Sequence, residues 1–452
     1  MKYIFRREIN YKKYLWYIPL ALVLMVSVYY LPPVQRRLAW RVDELSARVK
    51  YFFNPPDQAV FQPAQSDNFE STLATTRAEY LLTLTPAFTE TPASTPGVTI
   101  TPTITATPLP RSASLSGVKY ESQSGHNNYC GPTNFSMSLT FWGWDGSRSI
   151  IGDALMPGNH VDQDGNAGDR DKNVMPYEFQ DYITDNVPGM TSALRYGGDI
   201  AVLKRLIAGG FPVIAERGIY ELDMLGKMGW MGHYQLVTGY DDAKREVIVQ
   251  DSYVDGPNFH IKYDEFVNAW RAFDYLFLIV YPTERESEVL DLLGALADQD
   301  AAARIALDRA KKEMITLTGN EQFWAAFNVG TNHVALNEYV DAAYAYDNAF
   351  DLYSGLSTDM TTRPYRVMWY QTGPYFAYYY SNRFSDVINL ADTTLKDTIS
   401  KPILEESLLW RGRAYYMAGD TKSAIADYRA ALKVHVNWVP AMQALQDLGI
   451  QP

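Results

Sequence analysis

A threonine- and proline-rich segment divides this chain into regions that must fold independently. Residues 85–110 contain nine Thr, six Pro and one charged residue. Such a composition cannot bury an apolar core, and repeated Thr-Pro pairs favour extended, polyproline-like backbone. We therefore predict a linker at 55–112, an N-terminal region at 1–54, and folded domains at 113–283 and 284–452.

An uncharged, largely apolar stretch precedes this linker. It covers 22 residues from Tyr14 to Gln35, between Lys13 and Arg36. A helix of this length would cross about 30 Å of hydrocarbon. The alternatives are a buried soluble helix and a cleaved signal peptide, but no small-x-small cleavage site follows the apolar core. We expect a single transmembrane helix here, followed by a juxtamembrane helix that completes the N-terminal region.

The orientation of this helix is decided by the linker. Basic residues flank both ends of the apolar stretch, so the positive-inside rule gives almost no preference. Thr/Pro-rich stalks are typical of domains that are held off a cell surface. We therefore expect the N-terminus inside and the two folded domains on the extracytoplasmic side.

The composition excludes one class of partner and one kind of crosslink. The net charge is -12 and the pI is about 5.1, whereas nucleic-acid binding needs a basic face. We expect no nucleic-acid partner. The chain has a single cysteine, so it cannot form an intrachain disulfide. The role of that one thiol therefore becomes the central question.

The domain at 113–283 has mixed helical and strand patterns. Apolar, β-branched runs predict strands at 211–219, 233–240, 247–254 and 275–282. Periods of 3.6 predict helices at 133–142, 176–183 and 199–209. These patterns indicate an α+β domain, while the sparse prolines and helical period from about residue 284 onward indicate an all-α domain.

The single cysteine, Cys130, falls where a polar loop meets a predicted helix. Pro132 suits the first helical turn, because its missing N–H would be unpaired there anyway. A thiol at a helix N-terminus is more easily ionised, and the thiolate is the nucleophile of thiol hydrolases. The alternative is a buried structural cysteine.

Three further residues complete a catalytic constellation with this thiol. Gln123 lies seven residues before Cys130 and could donate to an oxyanion. His233 opens one predicted strand, and Asp251 lies near the end of the next, so a hairpin would bring them together. His233 would then take the thiol proton, and Asp251 would fix the imidazole tautomer.

The motifs Q-x6-CGPT, GHYQLVTGYDD and DSY, within about residues 115–283, resemble the C39-like branch of papain-type cysteine peptidases. The resemblance implies a papain-like α+β fold, a thioacyl intermediate, and the roles given above to Cys130, His233, Asp251 and Gln123. Bacteriocin-processing members carry transporter domains, whereas this chain has no P-loop. Cleavage after double glycine is therefore not carried over.

The proposed His–Asp pair places a demand on strand register. His233 and Asp251 can meet only if both side chains leave the same face of the sheet. Pairing Tyr240 with Val247 would put Asp251 on the wrong face, whereas pairing Tyr240 with Glu246 would put Gln235 opposite Asp251. We expect the second register, or a bulge within 241–252 that has the same effect. If Asp251 points elsewhere, Asp242 or a backbone carbonyl could orient His233.

The C-terminal domain contains a repeated pattern of small residues and tyrosine. The first copy has Gly330, Ala342, Tyr346 and Ala349, and the last has Gly412, Ala424, Tyr428 and Ala431 at the same internal spacing. A degenerate copy lies at 376–395. The pattern resembles tetratricopeptide (TPR) repeats, and three copies are about the minimum for a stable stack. We expect either a surface that binds a peptide or protein partner, or a purely stabilising module.

No cofactor and no metal site is predicted. His160, His260, His333 and His435 lack metal-ligand spacing. The loop 162–171 resembles a calcium loop in its alternating Asp residues, but Ala167 and Asn173 stand where such a loop needs Gly and Glu.

Together these features predict a membrane-anchored, extracytoplasmic cysteine peptidase that acts on a peptide or protein and carries a TPR-like module. Two alternatives stay open at this point. The first is a catalytically silent, membrane-tethered binding scaffold. The second is an acyltransferase that uses the same Cys–His site.

Overall fold

The structure is a computed structural model. It describes residues 17–29, 34, 61–64, 72–78, 108–126, 128–157, 173–222, 228–359, 361–364, 366–396 and 404–452.

The first described element is a helix, α1, at Tyr17–Tyr29. It has 13 residues, whereas the predicted apolar span at 14–35 has 22. No described helix combines the length and apolarity that crossing a bilayer requires. Most of the remaining predicted span lies outside the described residues.

A seven-stranded antiparallel sheet forms the centre of the structure between residues 112 and 282. Its order is β2-β7-β3-β4-β5-β6, and β1 pairs with the end of β4. The bounds are β1 Ser112–Ser114, β2 Met190–Arg195, β3 Val213–Leu222, β4 Met228–Asp241, β5 Glu246–Gln250, β6 Phe259–Lys262 and β7 Phe277–Pro282. The sequence patterns missed β1, β2 and β6, and they wrongly extended β5 to residue 254.

Helices cover both faces of this sheet because its central strands are apolar on both sides. Even-numbered residues such as Ile214 and Leu236 pack with α3 Cys130–Phe141, α4 Arg148–Leu155 and α5 Pro176–Asn186. Odd-numbered residues such as Val213 and Val237 pack with α6 Ile200–Ala208 and α7 Tyr263–Trp270. The short helix α2, at 72–78, precedes this layer in the chain. The predicted α+β arrangement is thus observed.

The β4–β5 hairpin corrects the predicted register. Tyr240 pairs with Val247, not with Glu246, but the register then shifts, so that Val237 pairs with Val249 and Leu236 with Gln250. Thr238 is the extra residue, which makes a bulge on β4 and not within 241–252 as predicted. Its carbonyl accepts from the N–H of Leu115 at 2.8 Å. The bulge therefore lets Asp251 follow β5 on the same face as His233.

All the elements after β7 are helical in the described residues. The helices are α8 Glu286–Leu293, α9 Gln299–Thr316, α10 Gly319–Ala335, α11 Tyr339–Gly355, α12 Gly373–Tyr380, α13 Phe384–Lys396, α14 Glu405–Met417, α15 Thr421–Val434 and α16 Val439–Asp447, with short 3-10 turns between some of them. These helices form three successive pairs, and each pair also packs against the next. The pairs are α10–α11, α12–α13 and α14–α15.

The first and last of these pairs share one packing device. A Cβ on Gly330 would come within 2.7 Å of the Tyr346 ring, and a Cβ on Gly412 within 2.6 Å of the Tyr428 ring. Each glycine therefore lets a tyrosine of the next helix lie against its backbone. The geometry matches the predicted spacing, while the assignment of the helices to TPR repeats stays a prediction.

The helical region packs directly on the sheet layer. The Trp230 ring of β4 stacks on Trp324 of α10 with their centroids 5.0 Å apart. A Cβ on Gly232 would meet the Tyr370 ring at 2.7 Å, which explains why a glycine precedes His233. Both regions thus share one apolar core, and Tyr370 stands beside the strand that carries His233.

The segment 61–64 also packs on the helical region. Phe61 is buried against Phe350 and Tyr378, with ring centroids 4.9 and 5.9 Å apart. The N–H of Ala64 donates to a carboxylate oxygen of Asp386 at 2.9 Å. At the other end of the Thr/Pro-rich segment, the Tyr240 hydroxyl donates to the carbonyl of Pro110 at 2.8 Å.

The tyrosine-on-glycine packing predicts the effect of adding one methyl group. Gly412→Ala should lower the free energy of unfolding by about 1–3 kcal/mol, because the new Cβ would overlap the Tyr428 ring. Gly355→Ala is the matched control, since Gly355 also lies in a helix and its Cβ would meet no described atom within 4 Å. Thermal melting of the two full-length variants measures both effects, and equal melting temperatures would contradict the packing described here.

Candidate active site

Cys130 is the first residue of α3, and its side chain is half-buried. The N–H of Thr133 donates to the carbonyl of Tyr129 at 3.0 Å, which closes the first turn. Gly131 is confined between α5 and β4, because a Cβ there would lie 3.2 Å from Phe179 and 3.5 Å from Tyr234. The thiol therefore sits at the N-terminal end of a helix that is pressed onto the sheet, as the sequence predicted.

The surroundings of the thiol favour its ionised form. Burial by itself raises the pKa of Cys130, but a hydrogen bond and the charge of His233 lower it, as do the backbone N–H groups of Tyr234 and Gly131. The net result is a pKa below the usual value of 9.0. Cys130 can therefore act as a thiolate in a site where an isolated buried cysteine would stay protonated.

His233 joins this thiol to Asp251. Its Nε2 atom lies 3.1 Å from Oδ1 of Asp251, and both residues are only 2% exposed. Burial lowers the pKa of His233, but the contacts with Asp251 and Cys130 outweigh it and raise the pKa to about 10. Burial raises the pKa of Asp251, but the hydrogen bond and charge of His233 hold it at about 2. An imidazolium between two anions is the favoured state of this trio.

A second set of contacts fixes the carboxylate of Asp251. The Gln235 amide donates to Oδ2 at 2.8 Å, and the N–H of Tyr253 donates to Oδ1 at 2.6 Å. Arg217 in turn donates to Oε1 of Gln235 at 2.8 Å. Sequence reasoning missed Gln235 and Arg217 as supporting residues. The signal was the strand period of two, which places Gln235 on the face of His233.

Gln123 lies in the loop before Cys130 and is held by Ser252, the residue after Asp251. The Ser252 hydroxyl donates to Oε1 of Gln123 at 2.9 Å, and the N–H of Gln123 donates to the Ser252 carbonyl at 2.8 Å. Because Oε1 accepts, the amide nitrogen is the atom left to donate elsewhere. Within the described stretches of the chain, that nitrogen has no hydrogen-bond acceptor.

Asn134, one turn after Cys130, was not predicted as a member of the site. Its amide nitrogen donates to the carbonyl of Tyr234 at 2.8 Å and to the Ser252 hydroxyl at 3.2 Å, and its oxygen accepts from the N–H of Leu236 at 2.9 Å. Its side-chain amide therefore pairs with a backbone carbonyl and a backbone N–H of β4, as the backbone of a neighbouring strand would. An amide one helical turn after the cysteine was the available signal.

A buried carboxyl, Glu216, lies close to this site. It pairs with Tyr234 across β3 and β4, is 2% exposed, and its Oε2 has no hydrogen-bond partner among the described residues. Burial raises its pKa well above the usual value and so favours the protonated form. In that form, Glu216 would not oppose the charge of the thiolate. Nothing in the sequence pattern distinguished this residue.

Among the described residues, two groups of side chains outside the site could hold a metal ion. One is Glu178, Glu405 and His435, which are buried, and the other is His333, Glu338 and Asp341, which are more exposed. In each group, a His nitrogen lies close to a Glu oxygen, at 3.3 Å and 2.6 Å respectively. Neither group includes a residue of the Cys130 site. The calcium-like loop 162–171 lies outside the described residues.

The arrangement supplies the components that acyl transfer to a thiol requires. Cys130 is an ionisable nucleophile, His233 is in contact with it, and Asp251 holds the imidazole so that Nδ1 is the nitrogen left for the thiol. The N–H of Cys130 and the Gln123 amide can donate to an oxyanion. The structure thus brings together all four residues that the sequence singled out.

Comparison with known proteins finds a matching family and similar solved structures. None of the curated proteins matches the chain. A C39-like peptidase from Bacillus anthracis is 16% identical, and the match covers 38% of this chain and 97% of the other, with a TM-score of 0.30. Residues 115–277 match the family described as the Peptidase_C39 like family. This stretch, which includes Cys130 and His233, is therefore similar to Peptidase_C39-like domains.

Proposed function

We propose that the chain is a cysteine peptidase in which Cys130 is the nucleophile, His233 the general base and acid, and Asp251 the residue that orients His233. The observation that carries this proposal is the continuous contact from thiol to imidazole to carboxylate, with His233 and Asp251 buried. The family match of residues 115–277 supports the same reaction class.

The first half of the reaction forms a thioester. The Cys130 thiolate attacks the carbonyl carbon of a peptide bond, so a C–S bond forms and the carbonyl oxygen becomes an oxyanion. The Gln123 amide and the N–H of Cys130 would stabilise that oxyanion. When it collapses, the C–N bond breaks, and the amine leaves with the proton from His233.

The second half of the reaction hydrolyses the thioester and frees Cys130. His233 takes a proton from water, the resulting hydroxide attacks the thioester carbon, and the C–S bond breaks to return the thiolate. An amine in place of water would give acyl transfer by the same steps. Asp251 stays ionised throughout, because its role is to hold the imidazole and to balance its charge.

The remaining regions receive roles in the same proposal. The apolar stretch at 14–35 would anchor the chain in a membrane, with the folded regions on the extracytoplasmic side. The helical region would select or present the substrate as a TPR-like module. Its closeness to the site supports this role, since the Tyr370 ring lies against the backbone of Gly232, next to His233.

Digestion of a proteome-derived peptide library by the purified protein tests the proposed reaction. We expect the full-length protein to create new peptide termini that are absent with Cys130→Ala. In ¹⁸O water, hydrolysis places ¹⁸O in the new carboxyl group, whereas acyl transfer to an added amine yields an adduct without it. The absence of new termini and adducts, together with alkylation of Cys130 by iodoacetamide that becomes fast only above pH 9, would favour the silent scaffold.

A further inference from the structure

The helical region holds a piece of its own chain in an aromatic pocket. Phe61 is 5% exposed, and its ring meets Phe350 edge-on with the centroids 4.9 Å apart. Gln62, which follows it, is exposed, and Pro63 is half-buried. The segment has no helical or strand structure at 61–64. An inserted ring on a non-helical, proline-containing backbone is how many peptide ligands are bound.

The backbone of this segment is held as well as its ring. The N–H of Ala64 donates to Oδ1 of Asp386, and Arg383 holds Oδ2 of the same carboxylate at 2.8 Å. Arg383 also bridges to Asp347 at 2.6 Å. Asp386 and Asp347 are 2% and 1% exposed, so the acceptor that receives the Ala64 N–H is fixed by a buried ion-pair network.

The pocket is larger than the ring that fills it. Beside Phe61 there is a cavity of about 60 Å³. It is lined by side chains of α10, α11, α13 and the turn at 366–369, among them Phe323, Leu390 and Trp369. The second ring of an indole at this position would extend into this free volume.

We propose that this pocket is a peptide-binding site for non-helical segments of the form aromatic-x-Pro-x, and that residues 61–64 are its resident ligand. The ring enters the pocket, the second residue faces solvent and is free to vary, and the N–H after proline binds Asp386. Only one ring and one hydrogen bond hold the described segment, so a peptide in trans can replace it.

Because residues 61–64 are covalently linked to the rest of the chain, a competing peptide needs a high affinity or a high concentration to displace them. A segment on the same chain acts at an effective concentration of about millimolar. A free copy of residues 58–67 should therefore bind the intact protein only weakly at micromolar concentration. Removing the resident ring frees the pocket, so the same peptide should bind Phe61→Ala at least about tenfold more tightly.

Fluorescence anisotropy with that labelled peptide is the direct experiment. Full-length Phe61→Ala should bind it, and the double variant Phe61→Ala, Asp386→Asn should bind it at least about fivefold more weakly, since a neutral oxygen is a poorer acceptor. A peptide with Ala in place of Phe61 should not bind, and one with Trp should bind more tightly. Leu109→Ala is the matched control, because Leu109 is an exposed apolar residue and should leave the pocket occupied.

A second variant protects the test against misfolding of Phe61→Ala. Ala64→Pro removes the N–H that binds Asp386 but keeps the ring, so it should loosen the segment and admit the Trp peptide. Equal, weak binding to the intact protein and to a folded variant of either kind would overturn the proposal. None of these measurements depends on peptidase activity.

Discussion

Cys130→Ala is expected to lower the peptidase turnover rate at least about 10⁴-fold, because the thiolate forms the C–S bond of the first step. The fold should stay intact, since the side chain is half-buried and alanine is compatible with the first turn of α3. Cleavage of a peptide identified in the library digest measures the loss, and thermal melting measures the stability.

Ser138→Ala is the matched control for this substitution. Ser138 lies on the same helix, is fully buried, and its hydroxyl has no hydrogen-bond partner in the stretches that the structure describes. Removing that hydroxyl should leave turnover unchanged. If Cys130→Ala kept a tenth of the wild-type turnover, Cys130 would not be the nucleophile.

The sequence located the Cys130 site because its residues obey local rules. The proline two residues after Cys130 predicted the start of α3, and the strand period of two predicted the face of the sheet on which His233 lies. The bulge at Thr238 obeys no such rule. It depends on the N–H of Leu115 reaching the Thr238 carbonyl and on the carbonyl of Ala113 lying 2.9 Å from where a Gly239 Cβ would be.

Contacts between distant positions of the chain were equally invisible. Asn134 bonds Leu236 across 102 positions, and Ala64 bonds Asp386 across 322. Neither Asn134 nor Ala64 lies in a sequence pattern that predicts its hydrogen-bond partner. The short strands β1, β2 and β6 were missed because their residues are mostly polar or mixed, and pairing in the sheet overrides their weak local preference.

His233→Ala should change both the rate and its dependence on pH. In the intact protein, the thiolate–imidazolium pair exists above the lowered pKa of Cys130 and below the pKa of about 10 for His233. Without the imidazole, burial remains as the main influence, so the thiol pKa rises above its usual 9.0. At pH 7, no more than about one thiol in a hundred would then be ionised.

Two measurements separate these effects. Alkylation of Cys130 by iodoacetamide should continue well below pH 9 in the wild type, but only approach its full rate above pH 9 in His233→Ala. Turnover should fall by at least about 10³-fold, since no base remains. His260→Ala should alter neither, because His260 is partly exposed and pairs with Glu246. An unchanged alkylation profile in His233→Ala would show that another group ionises the thiol.

The docking of residues 61–64 determines how mechanical load would pass through the molecule. Both flanks of the Thr/Pro-rich segment are fastened to one folded body, at Asp386 on one side and Tyr240 on the other. Tension transmitted along the chain to Phe61 would therefore pass into the helical region there and not into the Thr/Pro-rich segment. A cut within 85–110 would remove the tether, so the piece before the cut would be held only by its own contacts, among them those of Phe61 and Ala64.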